Sequence, residues 1–356
     1  MYKNQYVNSL YQNTLWHLQQ HSPVFAWIES PMPKKDLVKD NQEFLVLHIN
    51  KTCIEKAISI HTEDGIFIQE KEILNLSLIK NHIELFEIIL HQLKPDINVI
   101  SINLSLKIQP ILREYKLDGK FIKEKPDFLK SLSDNLFGLE LENYIYTKRH
   151  KKVKVVIAHD TTCLTLAGYQ EIINPEAVVS CIIDYGTNFA FLYNNTTINL
   201  ESGHFHDFDI PKNTLIIDDD SQYKNGYLFE KSVSGEYLYL HYNIEAKKLN
   251  LPEILDSKEL SILSSKNDSS TESKLAQNII QMSAELIGAQ IAAMHVFYGK
   301  SLLHIIIKGY LFQDVFNYKI IVENTLESFN VPIHKIDWIT VEEDALLGSA
   351  WLVKKF

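Results

Sequence analysis

One aspartate stands where a buried strand is expected to give way to a helix. The β-branched run at residues 155–157 predicts a buried strand, and Leu164, Leu166 and Ala167 predict the helix that follows. Asp160 falls between them, at the carboxyl end of the strand, where open α/β folds place ligands and chemistry. The start of a helix favours negative charge, either a carboxylate or a bound phosphate. Asp160 could also be a simple helix cap, since Asp before two threonines is a common cap signal.

The composition limits the class of protein. A chain of 356 residues exceeds what a single core usually holds, so two domains are expected. The net charge of −10 argues against nucleic acid or an anionic membrane as a primary partner. The three cysteines lack CxxC spacing, which predicts reduced thiols in a cytoplasmic protein and no zinc site. We expect neither a secretory signal nor a membrane-spanning helix, because no apolar run approaches about 18 residues.

The hydrophobic pattern repeats along the chain. Residues 44–60 and 178–200 each read as strands joined by short polar turns, and both are followed by helices and further strands. This recurrence predicts a duplicated α/β unit. Three other segments are interpreted from their polarity: 116–130 as a mixed polar stretch, 146–154 as a basic solvated loop, and 256–272 as a surface connection.

Two histidine arrangements invite a chemical interpretation. His204 and His206, with Asp207 beside them, have a spacing that could suit a metal. No further convergent ligand is visible in the sequence, so a plain loop is favoured and we predict no metal site. His159 beside Asp160 could suggest a catalytic dyad. We expect the two side chains to point apart, as adjacent residues at a strand end usually do.

Several stretches, taken in order, resemble the hexokinase family. Residues 229–238, FEKSVSGEYL, are similar to the family's YEK-x-x-SG-x-YLGE helix, and HDTT at 159–162 to its NDT segment. GTNFA at 186–190 resembles GTGxNA, and INLESGHF at 198–205 resembles INxEWGxF. Residues 305–309 and 342–348 stand where the family has GVDGSLY and SEDGSGRG. The matches keep the family's order over about 160–356, while the first 150 residues match only in outline.

The resemblance implies a fold and a division of the chain. The fold class is α/β, a duplicated actin-like or ribonuclease-H-like fold with two lobes and a cleft between them. Residues 42–158 plus 341–356 would form the small lobe, and residues 1–41 plus 159–340 the large lobe. The lobes would close around a sugar and exclude water, as induced-fit kinases do.

The resemblance also implies a reaction and its residues. By motif, Asp160 would take the proton from the 6-hydroxyl of a glucose-like hexose as that hydroxyl attacks the terminal phosphate of ATP. Asn188, Glu201 and Glu230 would hold the sugar hydroxyls, and all four side chains would converge on one hollow. His159 replaces the family's asparagine before the base, and Lys125 stands near the family's sugar-binding lysine.

The nucleotide motifs depart furthest from the family. The family's LDLGGTNFR is represented by residues 47–55, where Asn50 and Lys51 replace both glycines. His48 replaces the aspartate that helps to hold Mg²⁺, and Glu55 replaces an arginine. Lys51 or Lys308 could supply compensating positive charge. The cofactor-binding positions that survive are Thr52, Gly186, Gly309 and Gly348.

Two hypotheses therefore remain open. The chain is either an ATP- and Mg²⁺-dependent hexose kinase with an altered phosphate cradle, or a non-catalytic relative that binds sugar in a regulatory or scaffolding role. The retained Asp160, Asn188, Glu201 and Glu230 favour the first hypothesis. The lost glycine turn and the lost metal aspartate favour the second.

Overall fold

The computed structural model describes residues 5–50, 52–76, 79–122, 129, 132, 135–173, 175, 177–266, 268–299, 302–342 and 344–355. The helices are α1 (Gln5–Gln19), α2 (His82–Gln92), α3 (Phe137–Arg149), α4 (Asp160–Tyr169), α5 (Lys212–Asp220), α6 (Leu228–Val233), α7 (Leu238–Lys248), α8 (Ser257–Ser265), α9 (Thr271–Phe297), α10 (Tyr310–Gln313), α11 (Tyr318–Ser328) and α12 (Asp344–Trp351). The strands are β1 (Ile28–Pro31), β2 (Glu43–Ile49), β3 (Cys53–Thr62), β4 (Gly65–Asn75), β5 (Val99–Leu104), β6 (Ile108–Arg113), β7 (Lys116–Phe121), β8 (Lys154–His159), β9 (Val178–Ile183), β10 (Thr187–Tyr193), β11 (Thr196–Asn199), β12 (Leu303–Lys308) and β13 (Ile336–Ile339).

The chain divides into two compact units. The first unit contains Met1–Trp27, Asn174–Phe191 and Asn199–Thr340, and the second contains Ile28–Ile173, Leu192–Ile198 and Val341–Phe356. The lobe boundaries predicted from the sequence differ from this division at residues 28–41, 159–173 and 192–198. Helix α4 belongs to the second unit because it packs against the C-terminal helix α12.

The second unit is built on a five-stranded sheet with the order β4-β3-β2-β5-β8. Strands β2, β5 and β8 are parallel, and β3 and β4 are antiparallel to their neighbours. Alternation along β2 sends Leu47 into a core shared with α2 and α3, and Val46 into a core shared with α4 and α12. Helices therefore cover both faces of the sheet. A separate hairpin, β6-β7, accompanies this sheet.

The other sheet repeats the same plan. Its order is β1-β11-β10-β9-β12-β13, in which β9 and β10 are antiparallel while β12 is parallel to both β9 and β13. The run β11-β10-β9-β12-β13 thus matches β4-β3-β2-β5-β8 strand for strand. This match confirms the predicted α/β duplication, which is the actin-like arrangement.

The long helix α9 is the core of the first unit. It packs against α1, α7, α8 and α11, and Gly288 lies where an added Cβ would be 2.8 Å from Thr325. By length and composition α9 is the one described helix that could cross a membrane, but 78% of its apolar window is buried inside the protein. Burial of this kind is what a core helix requires.

Four segments differ from the sequence-based interpretation. Residues 116–121 form strand β7 of a hairpin, and the basic segment from 146 to 149 is the end of helix α3. The serine-rich connection contains helix α8, whose cap is Asp256. The stretch 229–238, which resembles one helix of the family, spans two helices, α6 and α7, with residues 234–237 between them. Charged and serine-rich helices escape a search for apolar periodicity, because their stability comes from caps and tertiary contacts.

Candidate functional site

Asp160 is the first residue of α4, directly after strand β8 ends at His159. Its side chain is 24% exposed, and its Oδ1 lies 2.7 Å from Nδ1 of His159. The same Nδ1 lies 3.1 Å from Oγ1 of Thr161, and His159 is the N-cap of the helix. The expectation that the two side chains point apart is therefore wrong. Strand alternation ends at His159, and the first helical turn brings the carboxylate back to the imidazole.

The parallel strands of the second unit end together at one edge of the sheet. Ile49 at the end of β2 pairs with Leu104 at the end of β5, and Leu104 pairs with His159. The residues that follow the three strands are Asn50, Ser105 and Asp160. Carboxyl ends of parallel strands are where such sheets bind ligands, so Asp160 shares its edge with two other polar side chains.

The turn after β2 is closed by its own side chain. Oδ1 of Asn50 accepts hydrogen bonds from the backbone N–H groups of Thr52 and Cys53, both at 2.8 Å, and from Oγ1 of Thr52 at 3.0 Å. Successive backbone N–H groups in such a turn form an anion-binding concavity when they are open to a ligand. Here the carboxamide occupies them. Lys51, which could supply compensating charge, lies outside the described residues.

The two other altered positions beside this turn contact each other. His48 and Glu55 are cross-strand partners, with Nδ1 of His48 3.1 Å from Oε1 of Glu55. Nε2 of His48 lies 2.8 Å from Oγ of Ser105. Mg²⁺ prefers oxygen ligands, and a carboxylate at 55 repels phosphate. With Asn50 on the turn amides as well, the residues present here do not fit Mg-ATP in the arrangement observed.

Asn188 and Glu201 belong to one hydrogen-bonded chain in the first unit. Nδ2 of Asn188 donates to Oδ1 of Asn199 at 2.9 Å, and Nδ2 of Asn199 donates to Oε1 of Glu201 at 2.8 Å. The backbone N–H of Ser202 donates to Oδ1 of Asn188 at 3.1 Å. Glu201 has a left-handed backbone with φ of 49°, a conformation that non-glycine residues adopt at some cost, often at functional sites. The network holds these polar groups in defined orientations.

Asn199 was missed by sequence reasoning. Its side chain is 2% exposed and joins Asn188 to Glu201. The signal that could have found it is its place two residues before Glu201, in the strand that follows the one carrying Asn188. A buried amide at such a place needs partners on both of its ends.

Glu230 lies beside the same residues, on α6. Its Oε2 accepts a hydrogen bond from the backbone N–H of Thr187 at 3.1 Å. A Cβ added to Gly186 or to Gly203 would lie 3.2 Å from that oxygen. The two glycines therefore leave room for the carboxylate, and Asn188, Glu201 and Glu230 are brought together within the first unit. Binding of a nucleotide by Gly186 remains a prediction.

A buried lysine fixes the helix that carries Glu230. Lys231 is fully buried, and its Nζ donates to Oδ1 of Asp218 at 2.6 Å, to Oγ of Ser221 at 2.8 Å and to the carbonyl oxygen of Tyr223 at 2.7 Å. All three hydrogens of the ammonium group are used. The sequence motif pointed to Glu230 but gave no reason to expect that its neighbour is the anchor.

Three buried hydroxyl groups belong to residues close in sequence to Asn188, Glu201 and Glu230. Among the residues that the structure describes, Oγ1 of Thr187 and Oγ of Ser202 and Ser234 have no hydrogen-bond partner. Thr187 and Ser202 use their backbone N–H groups to orient Glu230 and Asn188 respectively. Buried polar groups are normally paired, so each of these three hydroxyl groups has the capacity for a further hydrogen bond.

The turn after β9 contains Asp184 and Tyr185, where the resemblance to the hexokinase family places the Gly-Thr of a second phosphate turn. Burial raises the pKa of the Asp184 carboxyl, while the backbone N–H groups of Tyr185 and Tyr310 donate to it and oppose that effect. Gly309, with φ of 124°, precedes α10, and a Cβ there would lie 2.2 Å from the carbonyl oxygen of Ile183. Gly309 thus allows a close approach of two strand ends.

Three predicted binding residues remain, Gly348, Thr52 and Lys125, and the first of them has a packing role. A Cβ on Gly348 of α12 would lie 2.0 Å from the carbonyl oxygen of Cys163 in α4, so the glycine permits these helices to cross closely. Cofactor binding by Gly348 and Thr52 remains a prediction. Lys125 lies outside the described residues.

The histidine pair with metal-like spacing makes other contacts. Oδ2 of Asp207 lies 2.7 Å from Nε2 of His17, and Nδ1 of His206 lies 3.2 Å from the carbonyl oxygen of His204. Over the described ranges, no group of three or more His, Cys, Asp or Glu side chains is placed to hold a metal ion. Asp207 serves instead to pair a buried histidine of α1.

Solved structures share this architecture over almost the whole chain. A hexokinase from Schistosoma mansoni in complex with glucose superimposes with a TM-score of 0.77 at 15% identity, covering 99% of this chain and 94% of that one. A second hexokinase gives a TM-score of 0.74 at 14% identity, covering 98% and 93%. A ROK family protein from Streptococcus pneumoniae in complex with sucrose gives 0.63 at 15% identity, covering 87% and 97%.

The structural similarity is not accompanied by a match in sequence comparisons. No protein-family model matches the chain, and no curated protein matches it. Sequence identities near 15% establish a shared fold, and they do not establish a shared activity or substrate. The duplicated sheet order and these superpositions agree, and they show that the chain has the actin-like α/β fold of the hexokinases and the ROK family proteins.

Proposed function

We propose that this chain binds a hexose-like sugar through Asn188, Glu201 and Glu230 of its first unit. The observation that carries the proposal is the hydrogen-bonded chain from Asn188 through Asn199 to Glu201, with the Glu230 carboxylate beside it. Carboxylate and amide groups recognise vicinal hydroxyls by accepting and donating hydrogen bonds. A site of this kind discriminates strongly against sugars that lack those hydroxyls, because its polar groups would then stay unpaired.

The proposed reaction is phosphorylation of the sugar at its 6-hydroxyl, with Asp160 as the general base. The Asp160 carboxylate would take the hydroxyl proton, which makes the sugar oxygen a better nucleophile. His159 would stand beside this carboxylate, with its Nδ1 2.7 Å from Oδ1 of Asp160. The phosphoryl donor that the fold implies is ATP with Mg²⁺. The residues at the first turn do not fit it, so we assign no step to the donor.

A second candidate function is sugar binding without phosphoryl transfer. It is favoured by a specific observation: Asn50 accepts from the backbone N–H groups of Thr52 and Cys53 in the first turn that the family resemblance assigns to phosphate, and the carboxyl group of Asp184 stands in the second. In this case the chain would act as a sugar-dependent regulatory or scaffold protein, and Asp160 would only lie in the first turn of α4 beside His159.

Product formation distinguishes the two candidates. Wild type, Asp160→Ala and the exposed-site control Asp219→Ala would be incubated with glucose and Mg-ATP at high protein concentration, and hexose phosphate would be measured by mass spectrometry. The kinase proposal expects turnover in wild type and the control, and a loss of at least about 100-fold in Asp160→Ala. Turnover in wild type no higher than in Asp160→Ala would leave the binding function as the better account.

A further inference from the structure

Three side chains at the strand edge of the second unit are arranged as a nucleophile, a base and an orienting carboxylate. Oγ of Ser105 lies 2.8 Å from Nε2 of His48, and Nδ1 of His48 lies 3.1 Å from Oε1 of Glu55. Distances of this size are what an activated serine requires. The sequence motifs used so far assign none of the three to this role.

Strand pairing and one backbone hydrogen bond position the three residues. His48 and Glu55 are directly opposite each other on β2 and β3, and Ser105 follows the last residue of β5. The backbone N–H of Ser105 donates to the carbonyl oxygen of Ile49 at 3.0 Å, which fixes the start of the loop. Groups mounted on strands keep their geometry better than groups on free loops.

The hydrogen-bond directions follow from the chemistry of the partners. An ionised carboxylate can only accept, so Glu55 places the imidazole proton on Nδ1. Nε2 is then unprotonated and accepts the hydroxyl proton of Ser105. The Ser105 hydroxyl group therefore donates its proton toward a base, and its oxygen can attack an electrophile. His48 is 7% exposed, but the Glu55 side chain is 36% exposed, so the cluster reaches solvent at its carboxylate end.

His61, on the same strand pair β2–β3, also has a carboxylate partner and can be compared with His48. Nδ1 of His61 lies 3.1 Å from Oδ1 of Asp40, the same imidazole–carboxylate distance as at His48. Its ring packs edge-on against Trp351, and within the described part of the chain it makes no hydrogen bond to a hydroxyl group. His61 therefore supplies a matched control within the second unit.

We propose that Ser105, His48 and Glu55 form a second reactive centre that cleaves small carboxylic esters. Ser105 Oγ bonds to the acyl carbon while His48 Nε2 takes the hydroxyl proton. The bond from the acyl carbon to the alcohol oxygen breaks, and His48 returns the proton to the leaving alkoxide. Water then attacks the acyl-serine with His48 as base again, which releases the carboxylic acid and restores the hydroxyl. Glu55 is a positioning residue in this scheme.

Two probes test the nucleophile without sugar or nucleotide, so the result is independent of the proposed sugar chemistry. A fluorophosphonate, which forms a stable adduct with activated serines, would be applied to wild type, Ser105→Ala, His48→Gln and the control His61→Gln, and adducts would be mapped by mass spectrometry. Hydrolysis of p-nitrophenyl acetate would be followed in parallel. We expect an adduct on Ser105 in wild type and His61→Gln, at least about tenfold less in His48→Gln, and hydrolysis that falls at least about tenfold in Ser105→Ala.

Folding and positioning are tested separately. Thermal unfolding would show whether each variant is folded, and Ser105→Cys provides a second measurement, since a thiol beside His48 should react with iodoacetamide at pH 6 faster in this variant than in Ser105→Cys/His48→Gln. Glu55→Gln should lower the rate of p-nitrophenyl acetate hydrolysis, and Glu55→Asp should restore it in part. No Ser105 adduct in folded wild type, with hydrolysis equal to that of Ser105→Ala, would overturn the proposal, and a hydrolysis rate in Glu55→Gln equal to that of wild type would remove Glu55 from it.

Discussion

The carboxamide oxygen of Asn50 lies 2.8 Å from the backbone nitrogen of Thr52. The same oxygen accepts from Cys53 N–H, so one side chain takes the place that an anion would take in an open turn. An asparagine that pairs with the backbone two residues later is a familiar turn former. What distinguishes this turn is its location at the carboxyl end of β2, where the family resemblance puts a phosphate cradle.

Removing this side chain should open the turn to nucleotide. Asn50→Gly frees two N–H groups, and hydrogen bonds from such groups to a charged phosphate contribute about 1.5–3 kcal/mol each before the cost of ordering the glycine. We expect calorimetry with Mg-ATP to show an affinity at least about tenfold higher than that of wild type. Asn195→Gly, at a hairpin turn with positive φ, is the matched control and should change nothing. Equal affinity in Asn50→Gly and wild type would show that phosphate does not bind at this turn.

The buried lysine beside Glu230 should be essential for stability. Lys231→Met removes the cation and leaves the Asp218 carboxylate without its ion pair, and breaking a buried pair costs about 3–5 kcal/mol. Urea unfolding should show this loss in the free energy of unfolding.

A double variant separates the ion pair from packing. Lys231→Met/Asp218→Leu removes both charges, so it should recover part of the loss seen in the single variant. A single variant within about 0.5 kcal/mol of wild type would contradict the role assigned to this anchor.

The first unit should lose stability in mild acid through a buried histidine. Burial lowers the pKa of His241 to about 4 from an ordinary value of 6.5, and its Nε2 donates to the carbonyl oxygen of Lys231 at 2.8 Å. Between these two pKa values the unfolded chain binds a proton that the folded chain does not. The free energy of unfolding therefore falls as the pH drops from 6.5 to about 4, by about 3 kcal/mol over the full window.

Urea unfolding at several pH values between 4 and 7.5 would measure this slope. His241→Gln should flatten the curve in that window, whereas His206→Gln, at an exposed histidine, should leave it as in wild type. A His241→Gln curve parallel to that of wild type would assign the acid sensitivity to other groups.

The sequence predicted the elements whose signals are local. The apolar run before Asp160, the two strand–turn–strand openings and the motif residues Asn188, Glu201 and Glu230 follow from patterns that lie within a few neighbouring residues. The recurrence of the openings was enough to predict the duplicated sheet.

The remaining features depend on partners that are distant in the sequence. Helix α3 escaped prediction because its cap residue, Leu136, makes no side-chain cap bond. Asp118, on strand β7, accepts from the N–H groups of Gly138 and Leu139 instead. The residues next to the start of α3 in the sequence therefore do not indicate this cap.

The altered turn illustrates the same point at the candidate site. The replacements Asn50, His48 and Glu55 were visible in the sequence, and they indicated that phosphate contacts were lost. What replaces those contacts was not visible. The hydrogen bond between Ser105 and His48 joins residues 57 positions apart and appears only once the strands are paired.

Binding of sugar by the first unit is the central claim, and isothermal titration calorimetry with aldohexoses tests it most directly. Wild type should give saturable heat with at least one hexose. Glu230→Gln should weaken that affinity at least about tenfold, because it removes a charged hydrogen-bond acceptor. Glu236→Gln, at an exposed site six residues further along the chain from Glu230, should bind as wild type does. Saturable binding that is equal in Glu230→Gln and wild type, or no binding of any aldohexose, would contradict the account.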